Sequence, residues 1–152
     1  MDNYPISHDR TAHMIGVAEY MYYNASRYNL DPDKMYLIGL LHDIGYISGE
    51  KEGHEQYGAN LIMDAFSTNF GMPYIGDIIA HHADLPTEYI LNYGDPPNEL
   101  VLLWEADMSV DLTGECVGFE KRLADIKERH GVDSHPYEIC KQTMAWLKEN
   151  MS

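Results

Sequence analysis

Residues 39–46 read Gly39-Leu40-Leu41-His42-Asp43-Ile44-Gly45-Tyr46. An apolar run ends in a histidine and an aspartate, and a glycine follows at once. Upstream, Asp31-Pro32 supplies an N-cap and a proline at the first helical position. Met35, Ile38 and Leu41 then recur at three-residue steps, so the stretch predicts a helix from 32 that stops at Gly45. Adjacent helical side chains diverge by roughly 100°, yet a last turn that unwinds lets them converge. Imidazole and carboxylate are ligands that Zn, Fe, Mn and Ni accept. A metal also supplies the charge that a buried aspartate needs. Taken alone, the dipeptide equally suits a core histidine beside a capping aspartate.

Working outward, every segment between the Pro and Gly breakers reads as a helix. Ser7 caps a first helix over 8–29, with Met14, Val17, Ala18, Met21 and Ala25 at three- and four-residue steps. A third helix fits 54–70 and ends at Gly71. Pro73 opens a fourth, which carries Ile75, Ile78 and Ile79 to His81. The stretch 83–97, with Pro86, Gly94, Pro96 and Pro97, reads as the longest loop. A fifth helix spans about 98–109, and further helices fit 118–130 and 136–150. Period-two alternation is absent. The expectation is all-α: one domain over 1–152, a helical bundle of six or seven helices, with helices in 118–150 completing the motif region 7–112.

Composition narrows the function. Lys plus Arg is 10 and Asp plus Glu is 25, a net charge of −15. Such a surface is unsuited to a nucleic acid polymer or to anionic lipid. A phosphorylated small substrate then needs a cation from elsewhere, which a bound metal would provide. No apolar run is long enough to span a bilayer. Met1–Pro5 lacks the basic and apolar regions of a signal peptide, so the cytoplasm is the expected compartment. Cys116 and Cys140 form neither a CxxC pair nor a disulfide framework.

Eight histidines in a short acidic chain are the unusual feature. His13 lies on the first helix beside Met14. Asp107 shares one face with Leu100, Leu103 and Trp104, at i, i+3, i+4 and i+7. The order His13, His42-Asp43, Asp107 resembles the HD-domain superfamily of metal-dependent phosphohydrolases. The local contexts Arg10-Thr11-Ala12-His13, Gly39 to Gly45 and Glu105-Ala106-Asp107 carry the resemblance over roughly residues 7–112. It implies an all-α HD-domain bundle whose four motif residues hold a metal.

His54 and the pair His81-His82 extend the resemblance to the two-metal subset, such as HD-type dinucleoside tetraphosphate hydrolases. In such a centre Asp43 would bridge two divalent ions, of Fe, Mn, Zn, Co or Ni. His13, His42 and Asp107 would complete one site, and His54 and His81 the other. His82 would be an outer group or an extra ligand. Two metals clamp a phosphate and activate a water, which makes Asp43 and His82 candidate catalytic residues. The lysine common after His-Asp-Ile-Gly in this family is replaced by Tyr46, with Lys51 the nearest substitute and so a third candidate catalytic residue. Arg10, Tyr46 and Arg122 are candidate substrate-binding residues. The Gly-Tyr-Pro motif of the cyclic-dinucleotide phosphodiesterases is absent. The expected activity is hydrolysis of a phosphoester or phosphoanhydride in a nucleotide or similar compound. An HD-type di-iron oxygenase and a non-catalytic HD module are the alternatives. A homodimer is the default if the chain oligomerises.

Overall fold

The structure, a computed structural model, describes residues 8–45, 58 and 72–150. Seven α-helices lie in these residues: α1 (His8–Asn24), α2 (Pro32–Leu41), α3 (Met72–Ala80), α4 (Pro86–Tyr93), α5 (Asn98–Ser109), α6 (Phe119–His130) and α7 (His135–Asn150). The β structure among them is an isolated bridge, Val110 to Cys116. The chain is therefore all-α, as its periodicity predicts.

The first helix ends earlier than expected. It gives way at Asn24 to a 3-10 turn over Ala25–Tyr28, and Asn29 closes it in the left-handed region at φ 57°. Asparagine tolerates that conformation because its short side chain hydrogen-bonds locally. Helix α2 opens as predicted: the Asp31 carboxylate accepts from the Asp33 amide and Pro32 follows. The expected helix over 54–70 lies outside the described residues, apart from Gly58.

The 83–97 stretch corrects the loop expectation, since it contains α4. Leu85 is extended, Pro86 starts the helix and Gly94 ends it at φ 86°. The proline and glycine read as loop breakers are the start and stop of a short helix. Pro86 and Tyr89 are buried on its inner face.

The core explains why these helices assemble. Helix α1 packs most extensively on α2, with α5 behind them. Val17, Ala18 and Met21 of α1, Met35 and Ile38 of α2, and Leu100, Leu103 and Trp104 of α5 are buried together. Small residues set the α1–α2 spacing: a Cβ added at Gly39 would stand 2.6 Å from the Ala18 Cα. Each large core side chain contributes about 1.5–3 kcal/mol relative to exposure. No helix among the described residues is long and apolar enough to cross a membrane.

Candidate metal centre

The polar end of α2 is where the packing meets chemistry. After Leu41 the helix gives way to a turn at His42 and Asp43, and both side chains are buried. The α1–α2 contact brings His13, fully buried, beside them; the His13 and His42 rings are 5.3 Å apart. Helix α5 delivers Asp107, and the turn after α3 delivers His82. His13, His42 and Asp107 form one potential metal-binding group, and His42, Asp43 and His82 form a second that shares His42.

The contacts are short. Asp107 Oδ1 lies 2.8 Å from His13 Nε2 and 3.5 Å from His42 Nε2. Asp43 Oδ2 lies 3.2 Å from His42 Nε2 and 3.8 Å from His13 Nε2. The other oxygen, Oδ1, faces His82 Nε2 at 3.2 Å. Asp43 thus turns one oxygen toward each group.

The opposite ring nitrogens fix the tautomers. His42 Nδ1 stands 2.7 Å from the Gly39 carbonyl, His82 Nδ1 2.6 Å from that of Ile79, and His13 Nδ1 3.1 Å from that of Asp111. A carbonyl only accepts, so each Nδ1–H donates and each neutral ring aims its Nε2 lone pair inward. Two of these carbonyls lie three residues upstream at helix ends, where carbonyls lack helical partners. The helix termini therefore act as clamps that orient the rings.

A loop anchors His13. Asp111 Oδ1 accepts from the Thr113 amide and hydroxyl and from the Glu115 amide. This loop docks on α1 through two glycines. A Cβ at Gly16 would stand 2.4 Å from the Gly114 carbonyl, and one at Gly114, where φ is 87°, 2.6 Å from the Ala12 carbonyl. The tight fit places the Asp111 carbonyl under the His13 ring. Asp111, Gly16 and Gly114 are absent from the sequence-based reading. The turn composition of Asp111–Gly114 marks a loop, but nothing local ties it to His13.

The electrostatics call for a cation. Inward lone pairs and carboxylate oxygens repel one another unless positive charge stands between them. His42 Nε2 is buried and has no hydrogen-bond partner among the described residues. Burial disfavours charge on His42, yet Asp43 and Asp107 outweigh it and push its pKa up to about 10. Burial likewise opposes charge on Asp107, but the His13 and His42 side chains against it hold its carboxyl well below the usual range. Without a metal, a proton on His42 does part of the neutralising. Three imidazoles with two carboxylates are a donor set that suits a divalent transition ion, and backbone-fixed tautomers are the usual support for such ligands.

The remaining expected site residues fall in several places. Arg10, 24% exposed, pairs with Asp43 Oδ2 at 3.0 Å. His81 does not join the cluster: its Nδ1 meets Asp84 Oδ2 at 2.7 Å, and its ring lies against Tyr89 and Tyr93. The structure thus brings His82 rather than His81 to Asp43. The tight turn in which the His81 and His82 amides bond the Ile78 and Ile79 carbonyls accompanies this swap. Arg122 is buried and its Nε donates to the Asp107 backbone carbonyl at 3.3 Å, bracing the end of α5. Tyr46, Lys51 and His54 lie outside the described residues.

A comparison with protein families matches residues 10–112 to the HD domain. No curated protein and no solved structure gave a match. The family match runs from Arg10 to just beyond Asp107 and so takes in His13, His42, Asp43 and His82. The chain belongs to the HD-domain family.

Proposed function

We propose that this chain is a metal-dependent phosphohydrolase acting on a nucleotide or another small phosphorylated compound. The HD-domain family is one of metal-dependent phosphohydrolases. The observation that carries the proposal is the gathering of three backbone-clamped Nε2 atoms and two carboxylates into two adjoining groups that share His42. When bound there, divalent ions supply a nucleophile from water at neutral pH and neutralise phosphoryl charge.

The chain's own residues have separate tasks in this reading. His13, His42 and Asp107 would hold one ion, and Asp43 and His82, beside the shared His42, would hold a second. His54 is the further ligand we assign to that second ion. Arg10 is already held at the centre by Asp43, and its planar donor fork suits a phosphate. Arg122 acts as a positioning residue through the Asp107 backbone.

The test is phosphate release from a panel of nucleotides, phosphomonoesters and polyphosphates by protein loaded with Mn, Fe or Zn. Wild type should turn over at least one class. His82→Ala should lose about 10- to 100-fold in kcat/KM, the range for loss of a metal-site contact. His81→Ala should keep its metal content. A metal-loaded protein inert across the panel would overturn the proposal. Iron content with substrate-dependent oxygen uptake would favour the oxygenase alternative instead.

A further inference from the structure

His81, displaced from the cluster, belongs to a second constellation. Its ring centroid lies 4.9 Å from that of Tyr93 and 5.3 Å from that of Tyr89, and the two tyrosines are 5.0 Å apart. The trio is rigid at its base. Tyr89 is 8% exposed and meets the buried Trp104 edge-on at 5.9 Å. Asp84 fixes the His81 ring through Nδ1. Tyr93, by contrast, is 62% exposed at the end of α4. An aromatic ring held on a packed base and open to solvent is a ready stacking surface.

Position and charge say what stacks there. His81 immediately precedes His82, whose Nε2 faces Asp43 at 3.2 Å, so the trio is one residue along the chain from the centre. Its polar surroundings are acidic. Asp77, with its side chain 69% exposed, has Oδ1 3.9 Å from His81 Nε2, and Asp84 bonds Nδ1. These carboxylates repel phosphate and accept hydrogen bonds from a ring amine. A molecule with an amine-bearing aromatic base at one end and phosphates at the other would be drawn in one orientation, phosphates toward the metal ligands.

We propose that His81, Tyr89 and Tyr93 form a stacking platform for the nucleobase of the substrate. The proposal rests on the phosphohydrolase reading and names its substrate class as nucleotides with an amino-bearing base. A stacked base raises affinity by roughly five- to a hundredfold.

The experiment compares Mn-loaded wild type, Tyr93→Ala, Tyr93→Phe and Leu91→Ala with ATP and with inorganic tripolyphosphate, which has no base. Leu91, 85% exposed on the same helix, controls for general effects on α4. Tyr93→Ala should raise KM for ATP at least fivefold more than for tripolyphosphate. Tyr93→Phe and Leu91→Ala should leave that ratio near wild type. An unchanged ratio in Tyr93→Ala would overturn the platform. If wild type hydrolyses neither compound, the phosphohydrolase reading fails, and adenosine titration followed by NMR decides the platform separately. Adenosine should then shift the Tyr93 ring resonances in wild type and bind Tyr93→Ala at least fivefold more weakly. Absence of adenosine binding to wild type would overturn the platform.

Discussion

Gly39→Ala tests whether α1–α2 packing sets the metal centre. The new methyl carbon would stand 2.6 Å from the Ala18 Cα and 2.8 Å from its amide nitrogen. Both are backbone atoms and cannot swing aside. Ordinary contact for a Cβ begins at 3.4 Å, so the helices must part by about 0.8 Å at this point. Overpacking of this kind costs about 1–3 kcal/mol. The higher helix propensity of alanine returns about 1 kcal/mol. The net is a loss of about 1 kcal/mol, or roughly 2–4 °C in Tm for a chain of this size. The effect on metal should be larger. His13 rides on α1 and His42 on the end of α2, and ligand distances must hold to within about 0.2 Å. Mn affinity, read from the EPR signal of free Mn, should fall at least tenfold. A variant with wild-type Tm and wild-type Mn affinity would refute the packing argument.

Other expected outcomes follow from single contacts. Arg27→Met should cost about 2 kcal/mol in chemical denaturation, because the buried Glu105 carboxylate loses its two guanidinium bonds; a cost near zero would mean that Glu105 is neutral or otherwise satisfied. In metal-free protein, the stability contributed by His42 is complete below pH 6.5 and is lost as pH rises toward its folded value of about 10. Asp107, with its pKa lowered, contributes above about pH 4 and loses that contribution as pH falls through the depressed value. Metal-free Tm should therefore decline between pH 6.5 and 10, while metal-loaded Tm should not; parallel curves would show that metal and proton do not compete at His42. Cys116 is exposed, whereas burial pushes the Cys140 thiol up to about 12. A thiol reagent at pH 8 should thus label one cysteine in native protein and both after denaturation, and rapid double labelling of native protein would contradict the burial of Cys140.

Much of the centre was legible because local rules wrote it. Asp31-Pro32 and the apolar spacing after it set α2, and the i, i+3, i+4, i+7 face set Asp107 inward. His13 and His42-Asp43 stood in sequence contexts that pointed to one family. What was not legible depended on geometry between elements. His81 and His82 are neighbours at a helix end, and a tight turn rather than helical periodicity decides which one reaches Asp43. Helix α4 was hidden because proline and glycine signal both helix ends and loops. The clamp on His13 comes from a loop far along the chain, and only the close approach of Gly114 to Ala12 reveals it. Arg122 read as a candidate substrate-binding cation, but it is buried and its Nε donates to the Asp107 backbone carbonyl.

The decisive measurement is metal per chain, by elemental analysis of protein purified without chelators, for wild type and His42→Ala together. His42 belongs to both potential groups, so its loss should be felt at each. About two divalent ions per chain are expected in wild type, with a loss of both in folded His42→Ala. Wild type that stays empty after dialysis against Mn, Fe or Zn, or His42→Ala that keeps its full complement, would contradict a metal centre built on these residues.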